Sequence, residues 1–255
     1  MLVVVAFGVG GLVGLTGVGA GAIMTPVLVG FFGVSLPVAI ATDLFFATLT
    51  KLVGVPFHHR QGSIDWGMTR VLWRGSIPGT LVGVALVVLV VSREQTQWLL
   101  WPLAIIVLMT SLTLGRRAVR QTQTAKGLKS PRQVHPMMAS AGGFGIGSAV
   151  ALTSVGAGAL GMALLVRLSP TTVKPSELVG TDLVHAIPIA LIAGVAYGIA
   201  GFVSLPLLLT MLIGSIPGVI VGSLGAGRIS ARVLNGSLSL ILLAAVVLVV
   251  VRGIN

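Results

Sequence analysis

The sequence contains Leu15-Thr16-Gly17-Val18-Gly19-Ala20-Gly21-Ala22 and repeats it, with one substitution, as Leu152-Thr153-Ser154-Val155-Gly156-Ala157-Gly158-Ala159. Two further motifs also occur twice. They are Thr42-Asp43-Leu44 with Thr181-Asp182-Leu183, and Gly75-Ser76-Ile77-Pro78-Gly79 with Gly214-Ser215-Ile216-Pro217-Gly218. Because the copies of these two motifs share one spacing of 139 residues (181 minus 42; 214 minus 75), the chain contains a duplicated segment. Internal repeats of this kind are typical of transporters.

The composition excludes a water-soluble globular protein. Of the 255 residues, 55% are hydrophobic and 8% are charged, and the mean hydropathy is +1.09. Soluble domains carry about 25% charged residues, so we predict an all-α integral membrane protein with apolar spans of about 20 residues. The absence of cysteine excludes disulfides and thiolate chemistry. We interpret the net charge of +11 as basic loops that orient the chain in a lipid bilayer, and no motif indicates nucleic acid.

The apolar segments form two sets of four. They predict a membrane repeat at 1–115, a basic cytoplasmic linker at 116–135 and a second membrane repeat at 136–255. The predicted segments are 1–32, 35–57, 68–91 and 98–114, and then 136–168, 176–197, 203–226 and 233–251. The opening segment of each repeat is too long for one upright span and is interrupted by its glycine cluster. Each opening segment is therefore either one long tilted helix or a re-entrant hairpin that turns at the glycines.

The distribution of basic residues favours the hairpin. With the N-terminus outside, this topology leaves Arg93 and Arg252 on one side of the membrane and the remaining basic loop residues on the other. Those residues are Arg60, Arg70, Arg116, Arg117, Arg120, Lys126, Lys129, Arg132, Arg167, Lys174, Arg228 and Arg232. The single-helix topology weakens this bias, and basic residues normally collect on the cytoplasmic side. We therefore predict two tandem, inverted repeats, each with one glycine-broken helical segment plus three transmembrane helices.

The two glycine clusters form the predicted substrate-binding site. Backbone that leaves a helix inside the membrane is tolerated only where it is buried in protein or lines a wet cavity, and helix N-termini at such a break attract anions. The candidates are the glycines and the neighbouring hydroxyl residues: Thr16, Gly17, Gly19, Gly21, Thr153, Ser154, Gly156 and Gly158. The alternative interpretation is a close-packed helix crossing, which small residues also permit.

The Thr-Asp pairs, Thr42-Asp43 and Thr181-Asp182, lie inside apolar segments at equivalent positions. A carboxylate at membrane depth is costly and is a functional hypothesis by default, so we predict a role in proton coupling, with helix capping as the structural alternative. Lys51 and His185 lie on the same two segments. Lys51 is a candidate to pair with a carboxylate or an anion, and His185 is a candidate for proton transfer or for a packing hydrogen bond.

The Gly-Ser-Ile-Pro-Gly motifs are predicted hinges, because proline inside a helix frees a carbonyl group and bends the helix. The hinge candidates are Ser76, Pro78, Ser215 and Pro217. Arg74 lies one turn before Pro78 and either reaches the membrane interface or faces an anion in an inner vestibule. No carboxylate lies at metal-ligand spacing from the neighbouring histidines at 58 and 59, so we predict a solvated loop there and no metal site.

The sequence resembles the sulfite exporter TauE/SafE family, also called the toluenesulfonate uptake permease family. The resemblance rests on the three duplicated motifs and their spacing, and it covers essentially the whole chain. It implies a multi-pass transporter of the prokaryotic plasma (inner) membrane whose substrates are small sulfur-containing anions such as sulfite and organosulfonates. The second repeat departs from the first at Ser154, where the first has Gly17, and has no counterpart of Pro26. The two half-sites are therefore predicted to differ.

Together these observations predict a secondary transporter, an exporter of a small sulfur-containing anion coupled to the proton gradient. The alternative is a passive anion channel or a membrane subunit of a larger complex. The sequence has no metal motif and no Ser–His pair at catalytic spacing, so we predict no enzyme activity, no catalytic residues and no cofactor. The predicted partners are the small anion and the lipid bilayer, and the oligomeric state, monomer or homodimer, is left open.

Overall fold

The computed structural model describes most of the chain, and the described part is helical. The described residues are 1–16, 21–59, 64–90, 100–120, 136–155, 158–168, 175–225 and 231–254. Within these ranges there are ten α-helices: α1 (Leu2–Thr16), α2 (Gly21–Gly30), α3 (Leu36–His59), α4 (Trp66–Val90), α5 (Leu100–Arg120), α6 (Pro136–Thr153), α7 (Ala159–Leu168), α8 (Pro175–Ile199), α9 (Leu205–Leu224) and α10 (Ala231–Ile254).

Four of these helices are long and apolar enough to cross a membrane, judged by length and composition. The apolar stretches are Leu36–Val53 in α3, Trp66–Leu89 in α4, Glu177–Ile199 in α8 and Leu205–Leu224 in α9. Shorter apolar stretches of α5 and α10 are Leu100–Arg116 and Asn235–Leu248. Large hydrophobic side chains such as Leu89 and Ile199 are exposed on the outer surface, where a bilayer would cover them. These features confirm the predicted all-α, multi-pass membrane protein.

Each opening segment contains two described helices, one on each side of its glycine cluster. α1 ends at Thr16 and α2 begins at Gly21, and α6 ends at Thr153 before α7 begins at Ala159. At about 1.5 Å per residue, α1 is about 22 Å long and α2 about 15 Å, so neither crosses an apolar core of about 30 Å alone. The predicted linker overlaps α5 as far as Arg120, and residues 121–135 lie outside the described part.

Two glycine-lined crossings join helices that are distant in sequence: α4 packs against α6, and α9 packs against α1. Each crossing has three glycines, spaced four residues apart, that face the backbone of the other helix. On α4, Gly75, Gly79 and Gly83 face Ser140, Phe144 and Ser148; on α9, Gly214, Gly218 and Gly222 face Val3, Phe7 and Gly11. A methyl group at any of these glycines would overlap a neighbouring atom, so the backbones approach as closely as small residues allow.

The contacts also give the directions of the helices. The facing residues follow one another in the same order along α1 and α9, and along α4 and α6, so each of these pairs is parallel. α3 and α8 are antiparallel. Gly194, late in α8, packs against Leu44, early in α3, whereas Lys51, later in α3, interacts electrostatically with Asp182, early in α8. Ser204, just before α9, donates its backbone N–H to Thr42, early in α3. Because α9 also packs against α3, the two helices start at the same end and run the same way.

Candidate functional site

A buried carboxylate lies where α2, α3 and the end of α6 meet. Asp43 of α3 is 0% exposed. Its Oδ2 atom accepts hydrogen bonds from Oγ1 of Thr25 in α2, at 2.6 Å, and from Oγ of Ser154 at the end of α6, at 2.7 Å. Its Oδ1 atom has no hydrogen-bond partner among the described residues. We call this group, with Gly21, the Asp43 junction.

Gly21 brings the two broken segments into contact. It is the first residue of α2, and a methyl group on it would overlap the carbonyl oxygen of Ser154. The same methyl position lies 3.1 Å from Oδ2 of Asp43. The start of the helix after the first break therefore touches the backbone at the second break, and a side chain larger than that of glycine does not fit between them.

Ser154 has an unusual backbone conformation, with φ of 60°. For a residue with a Cβ atom, the left-handed region costs about 1–2 kcal/mol, a cost that glycine does not have. Glycine occupies the matching position 17 of the first copy. Serine stands at 154 instead, and this conformation directs its hydroxyl group to Asp43. Beside it, Thr153 donates to the carbonyl of Ala149 at 2.7 Å and accepts from the Val155 N–H at 3.2 Å, which caps the end of α6.

A second buried polar group, the Lys51 cluster, consists of Lys51, Asp182, His185 and Ser76. Lys51 is 1% exposed, and Asp182 and His185 are 0% exposed. The Lys51 ammonium interacts electrostatically with both Asp182 and His185. Nε2 of His185 lies 3.0 Å from Oγ of Ser76 in α4, and its Nδ1 has no hydrogen-bond partner among the described residues. The cluster therefore joins α3, α4 and α8 through the electrostatic interactions of Lys51 and one neutral hydrogen bond.

In the two Thr-Asp pairs, the threonines have the same role and the aspartates have different partners. Oγ1 of Thr42 accepts the backbone N–H of Ser204 at 3.1 Å, and Oγ1 of Thr181 accepts that of Asp65 at 3.0 Å. Ser204 and Asp65 each precede a helix, α9 and α4. The two threonines thus satisfy equivalent free N–H groups at helix starts, whereas Asp43 has hydroxyl partners and Asp182 has a cation.

Comparison with known proteins gives the family. The family model described as "Sulfite exporter TauE/SafE" matches residues 2–249. The chain belongs to this family. Its relatives in Bacillus subtilis (strain 168) include "Probable membrane transporter protein YjnA", 33% identical over 245 residues, which cover 93% of this chain and 94% of the relative. "Probable membrane transporter protein YdhB" is 26% identical over 227 residues, 88% of each chain. No solved structure gives a significant match.

Membership in the TauE/SafE family confirms the predicted resemblance. The family and its named relatives are membrane transporters. The predictions of a transport protein in a lipid bilayer, and of a chain that is not an enzyme, are confirmed to that extent. The family is described as one of sulfite exporters.

The structure brings some of the predicted site residues together and separates others. Gly21, Ser154 and Asp43 meet at the Asp43 junction, whereas Asp182, Lys51 and His185 form the other cluster. About 18 Å of helix lies between Asp182 and Gly194, the α8 residue that packs against Leu44, the next residue after Asp43. The two carboxylates therefore lie near opposite ends of the α3–α8 crossing. Predicted residues Gly17, Gly19 and Gly156 lie outside the described part, as does the side chain of Thr16, while Gly158 is buried just before α7.

The predicted hinge residues have a packing environment that the sequence did not indicate. α4 continues through Pro78, and α9 continues through Pro217. Ser76 contacts His185, and Oγ of Ser215 has no partner within the described residues. Phe46 occupies the position in α3 that matches His185, so no imidazole stands at the matching place in the first repeat.

Three residues of the site were missed by the sequence reasoning. Thr25 has a hydroxyl group in an apolar helix, and this pattern could have indicated that Thr25 belongs to the site. Tyr197 donates from its hydroxyl group to the carbonyl of Ala151 at 2.7 Å, and Trp73 donates from Nε1 to the carbonyl of His185 at 3.1 Å. Tyr197 joins α8 to α6, and Trp73 joins α4 to α8. No local pattern identifies such long-range partners.

Proposed function

We propose that this protein is a secondary transporter that exports a small sulfur-containing anion, such as sulfite or an organosulfonate, across the prokaryotic plasma (inner) membrane, coupled to the proton gradient. The observation that carries the proposal is the contact of the two glycine-broken segments at Asp43, where Gly21 lies against Ser154. Two helix breaks that meet inside the protein offer free backbone groups to a ligand. The family description supplies the substrate class.

We infer that the chain consists of two inverted repeats, 1–115 and 136–255. In support, the most extensive helix contacts have counterparts with the halves exchanged: α1 with α9 corresponds to α6 with α4, and α3 with α9 corresponds to α8 with α4. The antiparallel arrangement of the equivalent helices α3 and α8 supports inversion. The matched hydrogen bonds of Thr42 and Thr181 to helix starts add a third correspondence.

We also infer that each opening segment is re-entrant. α1 and α3 run in the same direction, so the chain between them has to return across the distance that α1 covers. A single tilted helix formed by α1 and α2 would instead place α3 antiparallel to α1. α2 ends at Gly30 and α3 begins at Leu36, and this short connection supports an exit on the side of entry.

The proposed substrate site is formed by the two breaks. The starts of α2 and α7 carry free N–H groups and partial positive charge, which favour an oxyanion. The proposed binding residues remain Thr16, Gly17, Gly19, Gly21, Thr153, Ser154, Gly156 and Gly158. In support, Gly21 and Ser154 are in contact and the hydroxyl of Ser154 lies inside the protein.

The proposed coupling and structural residues are the buried polar groups around the breaks, and the hinge residues allow movement. The coupling or structural residues are Thr42, Asp43, Thr181, Asp182, Lys51 and His185; the hinge residues are Ser76, Pro78, Ser215 and Pro217. Alternating access then exposes the breaks to one side of the membrane at a time.

Purified protein in liposomes tests the transport. Liposomes loaded with labelled sulfite are expected to release it faster than protein-free liposomes, and a pH gradient is expected to drive accumulation against the sulfite gradient. Flux that runs only down the sulfite gradient would indicate a passive anion channel. No flux of sulfite, thiosulfate, sulfoacetate, taurine or sulfate would contradict the proposal.

The site is tested by Thr16→Val and Ser154→Ala, which remove hydroxyl groups from the two breaks. Both variants are expected to lower sulfite flux while the amount of protein in the membrane stays the same. Thr210→Val is the control, because the Thr210 hydroxyl donates to the Pro206 carbonyl of its own helix. Wild-type kinetics in both site variants would count against the site.

A further inference from the structure

We propose that Asp43, and not Asp182, binds the coupling proton, and that its ionisation state controls both anion binding and the contact between the two helix breaks. The inference rests on the proposed transport function and assigns the proton to one of two carboxylates at equivalent positions. It follows from the partners of the two side chains, the charges around them and the position of the Asp43 junction.

The geometry of Asp43 leaves one oxygen atom for a proton. Both hydroxyl donors, Thr25 and Ser154, bind Oδ2, and Oδ1 is buried with no hydrogen-bond partner in the described part of the chain. A buried carboxylate oxygen that nothing satisfies is costly while it carries charge. A proton on Oδ1 removes the charge without disturbing the two donors on the other oxygen.

Among the described residues, no cation lies beside Asp43. α2, α8 and α9 pack against α3, and α2 and α9 carry no titratable side chain. On α8, Tyr197 lies at this end of the crossing, and its hydroxyl donates to the carbonyl of Ala151. The other titratable residues of α8 lie toward its start, and they are Glu177, Asp182 and His185.

Asp182 differs because Lys51 supplies a positive charge beside it. Opposite charges that interact in a low-dielectric interior favour each other's charged form, since protonating the carboxylate would leave the ammonium uncompensated. Asp182 is therefore the fixed charge of the pair of aspartates, and Asp43 is the one that can change its charge at low cost. On α3 itself, Lys51 lies two turns beyond Asp43 and is directed to the other cluster.

The position of Asp43 couples the proton to the anion. An anion bound at the breaks would lie near Gly21 and Ser154, next to the Asp43 carboxylate, and two negative charges in one buried site repel. Protonation of Oδ1 removes that repulsion, so the proton and the anion favour each other's binding by the same factor. The two are then carried together, and export is driven by the outward gradient of the anion. The carboxyl group gains one O–H bond, and the proton comes from the water on the side to which the site is open.

The same proton changes the contact between the segments. Hydrogen bonds to a charged oxygen are roughly twice as strong as those to a neutral one. When Asp43 is charged, Oδ2 binds α2 through Thr25 and the second break through Ser154, and when it is neutral both bonds weaken. The ionisation state of one side chain thus controls how firmly the two broken segments are joined.

Binding of methanesulfonate tests the coupling, because the charge of this probe is constant over the pH range used. In wild type, affinity is expected to fall as pH rises, by up to about tenfold per pH unit for one linked proton. Asp43→Asn is expected to remove this pH dependence, and Glu177→Gln, which neutralises another carboxylate, is expected to retain it. A pH dependence that persists in Asp43→Asn would overturn the proposal.

The contact between segments is tested without any ligand. Because the chain has no cysteine, spin labels can be attached directly at Phe31→Cys, just after α2, and Val166→Cys in α7, both exposed positions. The distance distribution between the labels is expected to change with pH in wild type, to lose this change with Asp43→Asn and to keep it with Glu177→Gln. A distribution that is independent of pH in wild type would contradict the proposed control of the contact.

A third measurement uses the wild-type side chain and so does not depend on the folding of Asp43→Asn. A hydrophobic carbodiimide, which modifies protonated carboxyl groups, is expected to label Asp43 and to spare Asp182, with less labelling as pH rises. Labelling of Asp182 in place of Asp43 would reverse the assignment. If methanesulfonate fails to bind at any pH while these two substrate-free results hold, the proposed substrate class fails and the proton site stands.

Discussion

Asp43 and Asp182 occupy matching positions in two copies of one motif, and their surroundings differ. Asp43 accepts hydrogen bonds from the hydroxyl groups of Thr25 and Ser154. Asp182 lies beside the Lys51 ammonium, and the position in the second half that matches Lys51 is Ala190. The same carboxylate is thus held by neutral donors in one half and by a cation in the other.

The backbone contacts around these two aspartates are more alike than their side-chain contacts. Thr42 and Thr181 accept equivalent backbone N–H groups, and Gly79 and Gly218 face equivalent carbonyl groups of Phe144 and Phe7. The comparison indicates that the helix contacts around the repeated motifs are alike, whereas the buried polar side chains have different partners. Substitutions can test the differing polar side chains and the shared helix contacts separately.

The largest expected effect comes from breaking the buried ion pair. Lys51→Met or Asp182→Asn alone leaves one buried charge uncompensated, which costs about 3–5 kcal/mol of the free energy of unfolding. Because the double variant removes both charges, it is expected to recover most of this loss. Denaturation of the purified protein in detergent measures all three, and Arg167→Met, at an exposed residue of α7, is the control. Additive losses in the double variant would contradict the pairing of Lys51 with Asp182.

Substitutions at the two glycine-lined crossings are expected to lower the stability by equal amounts, and by less than the loss of one charge of the Lys51 cluster. Gly79→Ala and Gly218→Ala each push a methyl group into a carbonyl of the facing helix, which costs about 1–3 kcal/mol. Gly8→Ala and Gly145→Ala are the controls, since a methyl group there meets nothing within 4 Å. Thermal stability in detergent distinguishes the sets. Clearly different losses at Gly79 and Gly218 would argue against equivalent crossings.

The smallest expected effect separates two serines at matching positions. Ser76→Ala removes the hydrogen bond to Nε2 of His185 and is expected to cost about 1 kcal/mol. Ser215→Ala is expected to be close to neutral, because Oγ of Ser215 has no partner among the described residues. The free energies of unfolding of the two variants test this. Equal values would mean that the two halves are more alike around Phe46 and His185 than their side chains indicate.

Much of the architecture could be predicted from the sequence, because it depends on local patterns. The interruption of the first segment follows from three glycines within 17–21, and α1 ends at Thr16 as expected from them. The all-helical fold follows from apolar segments that are too long and too poor in charge for a soluble domain. The duplication is visible because whole motifs recur at one spacing.

The partners inside the site could not be predicted, because they are far apart in the chain. Asp43 and Ser154 are separated by 111 residues, and they meet because α3 and α6 both pack against α8. The sequence suggested that Lys51 pairs with a carboxylate or faces an anion, and nothing local indicates Asp182 as the partner. The packing glycines Gly75 and Gly79 lie in a motif that contains a proline, and the proline predicts a bend. Nothing local indicates that two backbones approach closely at these glycines.

The glycine-lined crossings have a mechanical consequence. In α1 with α9, and in α4 with α6, backbone rests on backbone, with no flexible side chain between them to absorb a displacement. Each pair therefore resists sliding and moves as one stiff body, and each body contains one helix from each half of the chain. If the site opens alternately to the two sides, the moving parts are these mixed pairs, and the duplicated halves of the sequence are not the units of motion.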